Sequence, residues 1–204
     1  MIIIGICGAS GSGKTTLARE LCNAVGATSV MINQDAYYLD HPDMSFEERT
    51  RLNYDEPYIF DHDLLYRDVC ALMEGKSVPR KAYDFSQHRR AASTQMLQPA
   101  DVVVVEGIHA FFDDRLRDKM FLKLYINVEP DICLLRRIKR DIRDRGRQIE
   151  DISEQYRSTV KPMYEKYIRN YANDADVIVT RGGKNARIVE ILAGYLRSEL
   201  GKNE

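Results

Sequence analysis

At 204 residues, 44% of them hydrophobic, the chain is long enough for one domain to bury a core without disulfides or a structural metal. Lys and Arg total 30 against 31 Asp and Glu, so no overall positive field draws in nucleic acid or an anionic membrane, and small molecules are the expected partners. Cys7, Cys22, Cys70 and Cys133 form no C-x-x-C pair and accompany no His cluster at metal-ligand spacing, the pattern of buried thiols in a reducing compartment, which points to the cytosol.

The chain opens on Ile2 to Cys7, an apolar run too short to span a membrane and without the basic flank of a signal peptide; it reads as a strand. Gly13 to Val25 has helical composition, and Ser29 to Ile32 is a second strand-like run. Leu64 to Glu74 reads as the next helix, after which residues 76–98 break the alternation: Pro79, Tyr83, Phe85 and a polar turn predict a β-hairpin insert. Val102 to Val105 and Leu122 to Val128 are two further strands. Pro130 to Arg143 and Ser153 to Ala172 are predicted helices, the second kinked at Pro162. Val177 to Thr180 is the fifth strand. The last helix carries Ile188, Ile191, Leu192, Tyr195 and Leu196 on one face behind an Asn185 cap. Near-continuous apolarity marks strands covered on both faces, so the expected fold is a single α/β domain: a doubly wound, mostly parallel five-stranded sheet whose ligands lie beyond the carboxyl ends of the strands.

Between the first strand and first helix stands Gly8, Ala9, Ser10, Gly11, Ser12, Gly13, Lys14, Thr15 and then Thr16, a full G-x-x-x-x-G-K-[ST] phosphate loop in its proper context. Its glycines let backbone N–H groups turn inward, the helix start adds positive potential, Lys14 supplies a mobile charge for β- and γ-phosphates, and Thr15 offers a hydroxyl to Mg²⁺. Val102 to Val105 ends on Glu106, a second carboxylate able to hold the metal through water. No guanine-reading N-K-x-D or T-K-x-D tetrapeptide occurs, which argues against a GTPase switch and leaves a small kinase or a non-catalytic nucleotide-binding protein.

Asp35 follows the second strand and faces the phosphate loop across the expected cleft. A carboxylate is too weak a base to deprotonate an alcohol in the ground state, so Asp35 is expected to orient a hydroxyl and take its proton late. Arg136, Arg137, Lys139, Arg140, Arg143, Arg145 and Arg147 form the basic stretch of the chain. Interspersed Asp141 and Asp144 and near-neutral overall charge disfavour a nucleic-acid patch; a solvated face is the plain alternative to a helical lid over residues 136–150, with Gly146 as its flexible point. Tyr156, Val160, Met163, Tyr164, Tyr167 and Tyr171 follow helical spacing and read as a packing face, and His41, His62 and His109 show no ligand spacing.

Taken together these motifs resemble the uridine kinase (uridine-cytidine kinase) family, bacterial branch, related to phosphoribulokinase and pantothenate kinase. The resemblance implies transfer of the γ-phosphoryl group of ATP or GTP, with Mg²⁺, to the 5'-hydroxyl of uridine or cytidine in pyrimidine salvage. It also implies a homotetramer inhibited by pyrimidine triphosphates. Gln34-Asp35-x-x-Tyr38 is similar to the family's base motif, giving Asp35 the general-base and metal-side role and Tyr38 a place beside the substrate. Asn53 to Pro57 resembles the segment whose Asp binds ribose, a role that falls to Asp55. Tyr83 to Arg90 resembles the hairpin in which Tyr83 and His88 address the pyrimidine and Phe85 lines its pocket. In the lid, the match sends Arg137 to ribose, Arg140 and Arg145 to phosphates, and Arg147 with Gln155 to the nucleoside. Arg181 to Asn185 resembles the loop beside the donor base. The chain departs from the family in Lys81, commonly Pro, and in Arg143, often polar or acidic. A kinase of another small alcohol, such as pantothenate or a sugar phosphate, and a silent nucleotide sensor are the alternatives.

Overall fold

In the computed structural model, which describes residues 1–202 apart from 92 and 94, the opening apolar run forms β1 (Ile2–Gly8), buried along its whole length. The phosphate loop leads into α1 (Lys14–Val25), which stops at Gly26 in a left-handed conformation, and β2 (Ser29–Asn33) follows. Beyond β2 lie a 3₁₀ turn over Gln34–Tyr37, α2 (Phe46–Thr50) with its Ser45–Glu48 capping box, and α3 (His62–Met73), capped by the Asp61 carboxylate. Four short strands come next, β3 (Val78–Pro79), β4 (Ala82–Asp84), β5 (Arg89–Ala91) and β6 (Met96–Leu97), then β7 (Val102–Glu106), α4 (Asp114–Arg117) and β8 (Leu122–Asn127). The remainder comprises α5 (Pro130–Arg145), α6 (Ile149–Gln155), α7 (Lys161–Lys166), β9 (Val177–Thr180) and α8 (Ala186–Leu200).

Five strands pair in the order β2-β7-β1-β8-β9, every neighbour parallel, which is the doubly wound sheet expected from continuous apolar strands. Successive side chains point to opposite faces and divide the core in two. Ile2, Ile4, Ile6, Val102 and Val104 pack with Leu17, Leu21, Leu192 and Leu196 of α1 and α8; Ile3, Cys7, Val103 and Val105 pack with α3 and the aromatic residues Tyr37, Tyr38, Phe60, Phe111 and Tyr171. The register sets Asn33 beside Glu106 at the carboxyl edge, next to the phosphate loop that leaves β1.

Two expectations, on the helix over 153–172 and on the buried face of α8, need correction, whereas the insert is the expected hairpin, closed by two separate ladders, β3 with β6 and β4 with β5; Pro79 cannot donate to a ladder, which limits the outer pair. Lys81, at the position commonly Pro, instead ties the insert to α3 by an ion pair of 3.1 Å with Asp68. The helix expected over 153–172 is four pieces: α6 begins at Ile149, a π turn covers Tyr156–Val160, α7 follows, and 3₁₀ turns run over Ile168–Asp174. Pro162 has no N–H to continue an α ladder, and the chain accommodates it one turn early, where the Lys161 N–H reaches back to the Tyr156 carbonyl. On α8 the Asn185 cap is present, but Ile191 and Tyr195 are exposed, and Val189 and Ala193 are buried with Leu192 and Leu196 in the core shared with α1. Cys7 and Cys133 are buried while Cys22 and Cys70 are half-buried, and all four are thiols.

Candidate active site

At two positions the phosphate loop has no room for a side chain. Gly11 has φ 86°, and a Cβ there would run into the Cys133 carbonyl; Gly13 has φ 104°, and a Cβ would lie 2.7 Å from the Gly183 nitrogen. The second contact places the Arg181–Asn185 loop directly on the phosphate loop. Lys14 is nearly buried and its Nζ donates to the Ala9 carbonyl at 3.0 Å, so the charge rests over the cradle. Ser12 Oγ is buried among the described residues without a hydrogen-bond partner. A concave backbone, a lysine over it and an unpaired buried hydroxyl are what a triphosphate would satisfy.

Thr15 Oγ1 donates to Glu106 Oε1 at 2.8 Å. Burial pushes the Glu106 carboxyl up to about 7, with Asp35 adding to the rise and Lys14 and the Thr15 bond opposing it. Among the described residues no three His, Cys, Asp or Glu side chains converge as a metal cage. One hydroxyl with two carboxylates, Glu106 and Asp35, would suit a magnesium ion shared with phosphates and fits poorly a cation that needs an all-protein shell.

Beside the cradle opens a cavity of ≈ 640 Å³, within the range of small-molecule sites. Ser10, Asp35, Tyr38, Asp55, Tyr83, Phe85, His88, Arg137, Arg140, Arg145, Arg147 and Gln155 all line it, so positions up to 145 residues apart in the chain converge. Asp35 is set at the end of β2, its N–H held by the Asn33 side chain at 2.8 Å. Asp55 is almost completely buried; Thr159 Oγ1 donates to its Oδ2 at 2.8 Å and Arg137 Nη1 lies 3.9 Å from its Oδ1. Burial raises the Asp55 pKa, and the Arg137 guanidinium works against that rise.

The aromatic end is a stack. Tyr38 lies flat on Phe60 with centroids 4.4 Å apart and at 4.9 Å from Tyr83, while Tyr54 meets the His88 ring at 4.8 Å. His88 adopts φ 49°, and burial together with the nearby Arg147, Arg49 and Arg145 lowers its pKa, keeping a neutral ring with one donor and one acceptor. Its Nδ1 is buried without a hydrogen-bond partner. Tyr38 donates its hydroxyl to the Tyr54 carbonyl at 3.2 Å, so this side chain walls the cavity through its ring.

Guanidiniums close the third side. Arg137 donates to Ser10 Oγ at 3.0 Å and to Gln155 Oε1 at 2.9 Å, and Arg147 donates to the same Gln155 oxygen at 2.6 Å. Arg145 stacks on Phe85, its guanidinium carbon 4.1 Å from the ring centroid, which joins lid to insert. Arg143 points away and pairs with Asp144 at 2.6 Å on the exposed surface.

Sequence reasoning passed over three residues. Asp141 is fully buried and its carboxylate has Arg137, Arg140, Arg145 and Arg147 within 4 Å, making it the hub of the lid. The signal was available, because Arg137 and Arg145 flank Asp141 at i−4 and i+4 on one helix face. Thr159 was invisible because the π turn that aims it at Asp55 depends on Pro162 and its surroundings. His109 was set aside for lack of ligand spacing; it is buried against the back of Asp55.

A glycine cradle with its lysine, two carboxylates at a parallel sheet's edge, and an arginine-rich helix over an acceptor cavity define a P-loop phosphotransferase. Residues 3–187 match the Phosphoribulokinase / Uridine kinase family, and the chain belongs to that family. It is 40% identical over 204 residues to uridine kinase of Ligilactobacillus salivarius, covering 100% of this chain and 96% of the relative. It is 41% identical over 198 residues to uridine kinase of Halalkalibacterium halodurans, covering 97% and 94%. Among solved structures, phosphoribulokinase from Rhodobacter spheroides superposes with a TM-score of 0.64 at 17% identity over 88% of this chain and 69% of that one, a likeness of fold. No helix among the described residues is long and apolar enough to cross a membrane.

Proposed function

We propose that the chain transfers the γ-phosphoryl group of ATP or GTP to the 5'-hydroxyl of uridine and cytidine, as a cytosolic enzyme that assembles as a homotetramer. The observation that carries the reading is one cavity holding, between Asp35 and the phosphate loop at one end and Tyr83 and His88 at the other, a carboxylate and a guanidinium, Asp55 and Arg137, spaced for a vicinal diol. Its relatives at about 40% identity along nearly their whole length are named uridine kinases.

Gly8 to Thr16 and Lys14 would hold the triphosphate, and Thr15, Glu106 and Asp35 the magnesium ion. The ion supplies charge neutralisation on the transferring group. Asp35 accepts a hydrogen bond from the 5'-hydroxyl, aims its oxygen and takes the proton as the new bond forms. Asp55 and Arg137 grip the ribose hydroxyls, and Thr159 keeps the Asp55 carboxylate from swinging. The neutral His88 ring with its unpaired Nδ1, helped by Tyr83, reads the pyrimidine edge, while Phe85 excludes water. Arg140, Arg145 and Arg147, gathered on Asp141, place positive charge over the site.

The test is release of ADP or GDP with uridine, cytidine, adenosine, pantothenate or ribulose 5-phosphate as acceptor. Turnover is expected with the two pyrimidine nucleosides, and its absence with both overturns the reading. In the same assay Asp35→Asn should lower kcat by about 10²–10⁴ while ATP still binds, the effect of losing a positioned acid–base group. An unchanged kcat removes Asp35 from that role.

A further inference from the structure

Behind the acceptor site lies a buried polar side chain that the proposed chemistry leaves unused. His109 sits in the turn after β7, is fully buried, and is surrounded by the rings of Phe60, Phe112, Tyr167 and Tyr171 at centroid distances of 5.8–6.2 Å. Desolvating an imidazole in such a place is costly unless its polar atoms are paired. All are. The main-chain N–H donates to Gln34 Oε1 at 2.9 Å, Nε2 lies 2.7 Å from the Asp55 carbonyl oxygen, and Nδ1 lies 2.9 Å from the Tyr171 hydroxyl.

These partners set the tautomer. A carbonyl only accepts, so Nε2 carries the proton, and Nδ1 of the neutral ring accepts from Tyr171 O–H. The bond therefore runs from Tyr171 through the imidazole to the main chain of Asp55. On its other side the Asp55 N–H donates to Asn53 Oδ1 at 3.0 Å, so both peptide groups of this residue are held. The turn that carries His109 also secures Gln34, the residue preceding Asp35, whose packing requires Gly107: a Cβ there would collide with the Gln34 side chain.

We infer that His109, oriented by Tyr171, is a positioning residue that fixes the Asp55 main chain and so the aim of its carboxylate at the acceptor's vicinal hydroxyls. This rests on the reading of Asp55 as the ribose ligand. A residue that only filled the core would need no bond to the main chain of a site residue 54 positions away. Leucine would fill the space among four rings without a desolvation cost.

The experiment compares His109→Leu/Tyr171→Phe, His109→Gln and Asp55→Asn with the parent, measuring kcat and KM for uridine and for ATP, and Tm. The double substitution removes both partners of the Tyr171–His109 bond, leaving no orphan hydroxyl, so it should fold, with Tm lowered only by the single Asp55 carbonyl that loses its donor. Its KM for uridine should rise about tenfold, the scale of one lost hydrogen bond, with KM for ATP within about twofold. His109→Gln, whose side-chain amide keeps a donor near Nε2, should recover most of the loss. A folded double variant with parental uridine KM, while Asp55→Asn raises it, overturns the inference and leaves the ribose reading standing. If Asp55→Asn also leaves uridine KM unchanged, the reading itself fails. Matched rises for both substrates that track a fall in Tm make His109 structural only and also overturn the inference. Should the double variant not fold, His109→Asn decides against His109→Gln: the shorter amide falls short of the Asp55 carbonyl, so its uridine KM should be the higher, and equal values refute the tether.

Discussion

The two faces of the sheet are built to different rules. Beneath α1 and α8 the core is a layer of Ile, Leu, Val and Ala, and the helices have only to hold the strands in place. On the opposite face, Gln34, Asp55, Asp68 and His109 are buried among tyrosines and phenylalanines, each in a specific bond: Asp68, for instance, accepts from the Tyr37 hydroxyl at 2.9 Å and pairs with Lys81. The apolar face is tolerant because apolar contact is non-directional, whereas the polar face gains geometric precision and becomes vulnerable to any change that orphans one partner.

That contrast can be tested from its strongest point downward. Asp141→Asn should lower unfolding free energy by about 3 kcal/mol, the low end for a broken buried ion pair because three of its four guanidiniums are partly exposed. Urea denaturation measures this, and a loss under about 1 kcal/mol would show that the arginines hold their places without the hub. Acid should act next. Burial lowers the His109 pKa from 6.5 to about 4, with Lys14 and His62 adding to the fall and the Asp55 carbonyl opposing it; Tyr167 and Tyr171 complete its surroundings. The unfolded chain takes up a proton near pH 6.5 that the folded chain refuses, so this stability is complete above pH 6.5 and is lost as pH falls toward 4, by about 3 kcal/mol. Unfolding curves at pH 7.5 and 4.5 should show His109→Leu/Tyr171→Phe losing less than the parent by roughly that amount, and identical losses would contradict it. On the solvent side of α8, the helix that covers the apolar face, Ile191→Ala, at a side chain 58% exposed, should change stability by less than about 0.5 kcal/mol.

The same contrast explains what could be read from the chain. Strands, α1, the phosphate loop and Glu106 depend on neighbours within a few residues, and they lie where apolar runs and motif spacing place them. The acceptor residues were reachable through a family resemblance, since Asp55, His88 and Arg137 carry no local mark of convergence. His109 was unreadable because its partners, Gln34, Asp55 and Tyr171, come from three other segments, and only folding brings them together. The exposed stripe of α8 misled for a simpler reason: periodicity tells which residues share a face, and packing decides how much of that face is covered.

The π turn at Tyr156–Val160 has a consequence for how the lid could drift or be re-engineered. An extra residue in a helical turn rotates everything upstream by about 100° relative to everything downstream. It lets Gln155 face the guanidiniums while Tyr164 and Ile168 keep to the interior of the same run. Deleting a single residue from this turn would leave the composition almost untouched and both ends folded, yet it would dial Gln155 out of the cavity, so the insertion works as a phase setting between the half of the segment that packs and the half that meets the acceptor.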